Sequence, residues 1–147
     1  MAQAQRSIVI DVSADKLYDV INDFEKYAEF LPEVKKISVA AGPGDAKDVT
    51  YTIDIKAKVI SYTLRHTGTK PTKAAWSMTK GEMMKSNEGH WALKDLGNGK
   101  TEATYNIDLK LSAFVPGFIE KALAETGLPD LLNNFKKRAE KLYGAAA

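Results

Sequence analysis

Two histidines, His66 and His90, are the only imidazoles in a chain of 147 residues that contains no cysteine. An imidazole titrates near neutral pH and serves as a general base or metal ligand. Both tasks need partners, and neither histidine sits in an HExxH or HxH spacing. Without a thiol there is no thiolate metal site and no cysteine nucleophile. P-loop, GxGxxG and GxSxG patterns are absent. The expectation is therefore no metal, no cofactor and no covalent catalysis. Trp91 turns to one side of its alternating segment, which places His90 on the other. His66 shares parity with Tyr62 and Leu64 and can look inward near a strand end, where a hydrogen-bonded rim residue is a simpler reading than a general base. Asp54 and Asp108 alternate with apolar neighbours and are expected on wet faces, where a carboxylate lacks the perturbed environment of acid–base work. An enzyme would need an interior polar group, and only His66, Tyr62, Tyr105 or Arg65 offers one. The chemistry leans away from an enzyme.

The large apolar side chains say more. Trp76, Met78, Met83, Met84, Trp91, Tyr105, Phe118 and Phe135 carry more bulk than a thin two-layer core requires. Most must be plain packing. Methionine, however, adapts to irregular partners, and ligand pockets are mainly apolar with few polar groups.

The elements that position these residues follow from periodicity. Residues 7–12 are β-branched and read as a strand, with Ser13 as an N-cap. Leu17, Val20, Ile21 and Phe24 fall at i, i+3, i+4 and i+7 on one helical face. Asp23 is placed to cap a second short turn carrying Tyr27, Phe30 and Leu31, which Pro32 ends. Val34 to Ala41 reads as a strand and Gly42-Pro43-Gly44-Asp45 as a turn. Tyr51, Ile53, Ile55 and Ala57 then share one parity, whereas Ile60, Tyr62 and Leu64 share the other. A parity switch needs a turn or bulge, so a tight hairpin is predicted near Lys56–Val59. Strands follow at 73–80 and 86–95, with a tip around Gly81–Met84. Gly97-Asn98-Gly99 reads as a hairpin turn rather than a phosphate cradle. Residues 101–111 alternate cleanly. Val115-Pro116 opens the helical remainder, broken or kinked by Gly127 and Pro129. Phe118, Ala122 and Leu123 form an early stripe, and Leu128, Leu131, Leu132, Phe135, Ala139 and Leu142 a later one. Gly144 suits the position after the last helical turn, and Ala145–Ala147 should fray. The order is an α+β one, with an antiparallel sheet of six or seven strands covered by the terminal helix. Leu131, Leu132, Phe135 and Leu142 are expected to be buried.

Length fits one domain over residues 1–147. The N-terminal stretch lacks the apolar run of a signal peptide and no segment reaches the length of a membrane span, which predicts a cytoplasmic protein. Net charge is +2, from 21 basic and 19 acidic residues, dispersed along the chain. Lys136, Lys137, Arg138 and Lys141 form the one basic cluster, better read as a solvated helix end opposing the dipole than as a nucleic-acid surface. No nucleic-acid partner is expected, and a monomer is the simplest state.

Val20-Ile-Asn-Asp-Phe-Glu-Lys-Tyr-Ala-Glu-Phe-Leu-Pro32, Glu88-Gly-His-Trp-Ala-Leu-Lys-Asp-Leu-Gly-Asn-Gly99 and the strand at 101–111 resemble the START-like (SRPBCC) helix-grip superfamily. The likeness spans about Ser7 to Tyr143. It points to the polyketide cyclase/dehydrase-like branch, which also holds coenzyme-Q-binding START proteins and the ribosome-association toxin. The resemblance implies a curved antiparallel sheet gripping the C-terminal helix, two short helices after the first strand, and an apolar cavity between sheet and helix. Parity makes Ile53, Ile55, Tyr62, Leu64, Trp76, Met78, Trp91, Leu93, Tyr105, Ile107 and Leu109 the sheet's candidate lining residues. Phe118, Leu131 and Phe135 are the helical ones. The function so implied is binding or carriage of a small hydrophobic ligand, lipid-, quinone- or polyketide-like. The alternatives are an aromatase/cyclase-type enzyme and a ribosome- or protein-interaction module.

Overall fold

The computed structural model describes residues 2–54, 59–112, 115, 117–122 and 127–144. Alternating segments become seven antiparallel strands: β1 (Ala2–Ile10), β2 (Val34–Ala41), β3 (Lys47–Asp54), β4 (Val59–Thr69), β5 (Lys73–Gly81), β6 (Met84–Gly97) and β7 (Lys100–Leu111). They form one curved sheet in the order β1-β7-β6-β5-β4-β3-β2. Six consecutive strands meander, and β1 closes the far side by pairing with β7, Ile10 against Thr101. Between β1 and β2 the chain crosses through α1 (Ala14–Ile21) and a 3₁₀ turn (Phe24–Glu29). After β7 come α2 (Gly117–Ala122) and the long α3 (Leu128–Tyr143). This is the helix-grip arrangement.

Local chemistry explains the boundaries. The Ser13 hydroxyl accepts from the Lys16 backbone N–H at 3.4 Å and starts α1, satisfying one of the donors that a helix N-terminus leaves free. Asp23 does stand before the 3₁₀ turn, but its side chain makes no capping bond. Gly44 takes a positive φ of 59° in the β2–β3 turn, a conformation that glycine adopts without steric cost. Tyr51 lies opposite Tyr62 and Ile53 opposite Ile60, so a hairpin accounts for the switch of parity. Lys56–Lys58 of the expected turn lie outside the described residues. β1 starts five residues earlier than its β-branched core suggested. Polar Gln3, Gln5 and Arg6 pair with β7 along the backbone ladder, which an apolar pattern does not register.

The concave face and the helices enclose the core. Leu128, Leu132, Phe135 and Ala139 are the buried stripe of α3, at the i, i+4, i+7 and i+11 positions. Leu131 is half-buried, and Leu142 is 46% exposed, contrary to the burial expected of it. At Lys136–Glu140 the helix has already reached the end of β1: Lys136 Nζ donates to the Val9 carbonyl at 3.1 Å, and the Asp11 N–H donates to Glu140 at 2.9 Å. The last turn therefore extends past the strand that would cover it. Arg138 pairs with Glu29 at 2.9 Å and lies over the Phe30 ring, joining α3 to the 3₁₀ turn. Two of the four cations in the basic cluster are thus engaged within the protein, Lys136 also pairing with Glu140.

Thr101 is fully buried, and its hydroxyl donates to the Val12 carbonyl at 2.7 Å. It ties the start of β7 to the chain entering α1. Thr101→Val keeps the shape but leaves that carbonyl unpaired, an expected loss of about 1–3 kcal/mol in chemical denaturation.

Candidate ligand cavity

Curvature leaves space between sheet and helices. A cavity of about 500 Å³ lies against Tyr51 and Ile53 of β3, Tyr62, Leu64 and His66 of β4, and Ala74 and Trp76 of β5. Met84, Asn87 and Trp91 of β6 continue this wall, and Tyr105, Ile107 and Leu109 of β7 complete it. Phe118 and Ile119 of α2, with Leu128, Leu131 and Phe135 of α3, form the opposite side. Tyr27, Leu31, Glu33 and Val34 close one end, from the 3₁₀ turn and the start of β2.

Aromatic rings dominate this interior. Trp91 meets Tyr105 and Phe135 edge-on, at 4.9 and 5.1 Å between centroids. Tyr51 stacks on Tyr62 at 5.3 Å. Offset and edge-to-face pairs of this kind are favoured by the ring quadrupole. The Tyr27 hydroxyl donates to the Ile21 carbonyl, and the Trp76 indole N–H donates to Asn87 Oδ1 at 2.8 Å. The Tyr51 hydroxyl and His66 Nε2 share a hydrogen bond of 2.8 Å, with the Phe24 ring 4.3 Å from the imidazole.

Burial sets the protonation of these groups. Desolvation raises the Tyr27, Tyr51, Tyr62 and Tyr105 phenols, with neighbouring phenols or carboxylates adding to it. All four remain neutral. Desolvation also lowers His66 from 6.5 to about 4, because burial strips water from the imidazolium. The unfolded chain therefore takes up this proton first, and stability is lost as pH falls from about 6.5 towards 4. His66→Gln should remove up to about 3 kcal/mol of the stability difference between pH 7 and pH 4. Urea titrations of both proteins at the two pH values measure it, since the surface carboxylates are common to both.

The sequence profile of the family described as "Polyketide cyclase / dehydrase and lipid transport" matches residues 1–140. The chain belongs to this family. Among solved structures, the aromatase/cyclase from Streptomyces sp. R1128 superimposes with a TM-score of 0.86 at 16% identity, covering 99% of this chain and 98% of that one. A START superfamily protein from Mycobacterium smegmatis gives 0.84 at 20% identity, covering 95% and 98%. At such identities the likeness is one of fold. In sequence, the chain is 28% identical over 150 residues to the ribosome association toxin of Vibrio cholerae, covering 98% of this chain and 99% of the relative.

Most of the residues picked out by strand parity and helical stripe meet at the cavity of this polyketide cyclase-like fold: Ile53, Tyr62, Leu64, Trp76, Trp91, Tyr105, Ile107, Leu109, Phe118, Leu131 and Phe135. Phe118 does so from the rim, with 73% of it exposed. Ile55 lies outside the described residues. Leu93 is buried opposite Ala103, within solid core and not at the cavity. Met78 is half-buried opposite Leu64, and its sulfur leans towards Gly81 instead of the cavity. His90 is on the convex face, where Asn106 lies 3.2 Å from it.

Two carboxylates depart from the solvated positions expected of them. Asp54 borders the cavity beside Glu33, whose carbonyl accepts from the Asp54 N–H at 2.8 Å at the end of β3. Asp108 is on the convex face but half-buried under β1: Gln3 donates to one oxygen at 3.1 Å, and the other is buried without a hydrogen bond. Asn87 has the inward parity of Trp91 but, being polar, gave no apolar signal as a lining residue, whereas Met84 points inward out of step with Trp91 because of a bulge between Met84 and Ser86. Among the described residues no cluster of three or more metal-ligating side chains occurs. No described helix is long and apolar enough to cross a membrane.

Proposed function

We propose that the protein binds and carries a small hydrophobic molecule in the cavity between its sheet and α3, with the whole chain acting as one binding domain. The observation that carries this is an apolar space of about 500 Å³ walled by Trp76, Trp91, Tyr105 and Phe135, within the usual range of small-molecule sites. Its size suits a lipid-, quinone- or polyketide-like ligand. Both indoles stand in the wall, so each reports on occupancy. Titration with fatty alcohols, quinones and aromatic polyketides should shift or quench tryptophan fluorescence. Trp91→Tyr should weaken the signal while the thermal transition persists. A flat titration across all three classes, repeated by native mass spectrometry of protein purified from its own host, would count against the proposal.

The similarity to a ribosome association toxin along nearly the whole chain favours a second reading, in which the protein binds ribosomes. Co-sedimentation with ribosomal particles in sucrose gradients at physiological salt supports that reading, and a protein remaining at the top of the gradient rejects it. The aromatase/cyclase reading predicts conversion of a poly-β-ketone chain by purified protein, followed by product analysis.

A further inference from the structure

The polar groups of the cavity wall differ in how far they are already committed. The Tyr27 hydroxyl is used on Ile21, and the Trp76 N–H is used on Asn87, whose amide nitrogen faces the Met84 sulfur at 3.7 Å. The Tyr51–His66 pair is different. A hydroxyl has one donor and two acceptor sites, and a neutral imidazole has one of each. Their mutual bond at 2.8 Å uses one donor and one acceptor. When Tyr51 donates to Nε2, its oxygen still accepts from a ligand hydroxyl. In the other tautomer Nε2–H donates to Tyr51, and the freed phenol O–H donates to a ligand carbonyl. One pair thus serves either kind of oxygen.

Charge narrows the choice further. The charged side chains among the described lining residues are Glu33, Asp54 and Asp130, with no lysine or arginine. His66 is neutral at physiological pH and the phenols remain protonated. A buried carboxylate would find no fixed cation among the described lining residues, and burying an unpaired charge is costly.

We propose that the Tyr51–His66 pair is the polar anchor of the cavity, and that it selects an uncharged lipophile bearing a hydroxyl or carbonyl oxygen over a lipophilic carboxylate. This rests on the cavity-binding reading above. The test is calorimetric titration at pH 7.4 with 2-naphthol, 2-acetylnaphthalene, naphthalene and 2-naphthoate, which share one ring system. The naphthol and the ketone should bind about tenfold more tightly than naphthalene, the range a neutral hydrogen bond gives, and naphthoate most weakly. Tyr51→Phe should abolish the tenfold advantage and leave naphthalene affinity unchanged. Naphthoate binding as tightly as the neutral oxygen compounds overturns the anchor, as does an advantage that survives Tyr51→Phe. The unmodified protein decides the charge preference even if the variant fails to fold. If none of the four binds, the cavity-binding reading falls as well, a result distinct from binding without discrimination.

Discussion

Phe135→Ala is expected to lower the unfolding free energy by about 3 kcal/mol. The side chain is 2% exposed and meets three rings edge-on: Tyr27 at 5.4 Å, Phe30 at 5.1 Å and Trp91 at 5.1 Å. Phenylalanine-to-alanine changes in packed cores cost about 3–5 kcal/mol, part of it from the void left behind. Here one flank of the ring already borders the cavity. Atoms facing empty space have fewer contacts to lose, which puts the effect at the lower end. Urea denaturation followed by far-UV dichroism measures it, with an unchanged slope expected if the sheet stays intact. The enlarged space should also admit bulkier ligands. A loss below 1 kcal/mol would mean that α3 sits on the sheet more loosely than this geometry requires.

Much of the fold was legible because single-face burial leaves a period-two record. β2 runs from Val34 to Ala41 as read, and in β7 the inward Ala103, Tyr105, Leu109 and Leu111 are buried. The helical stripe that includes Leu132 and Phe135 was equally visible. What escaped depends on non-local geometry. The bulge in β6 turns Met84 inward out of step with Trp91, and no residue type announces it. The exposure of Leu142 depends on where β1 ends beneath α3, which a helical pattern cannot encode. His66 was legible as inward-looking, but its pairing with Tyr51 was not. The ladder sets His66 opposite Lys47 and Tyr51 opposite Tyr62, so the two side chains meet through lean and curvature instead of register.

Gly89 is the other position where non-local geometry decides. It lies between Trp76 on β5 and Ile107 on β7 in the ladder. A Cβ at this glycine would come 2.1 Å from the Asn106 carbonyl oxygen and 2.7 Å from the Trp76 ring. The first obstacle is backbone of the neighbouring strand, which cannot rotate away as a flexible side chain can. The second is an indole held by its hydrogen bond to Asn87. Glycine is therefore what lets a tryptophan lie against the sheet and form part of the cavity floor. Gly89→Ala is expected to cost about 3 kcal/mol, at the upper end of what overpacking imposes, although alanine is otherwise the better strand residue. Relief of the clash should tilt the Trp76 ring and break its bond to Asn87, moving tryptophan emission to longer wavelength in the folded state. Lys94→Ala on the same strand, at an exposed site, serves as the control and should stay within about 0.5 kcal/mol of the parent. Equal melting of the two variants would show that β6 and β7 can part by the required distance at little cost, and that Trp76 does not depend on the glycine beneath it.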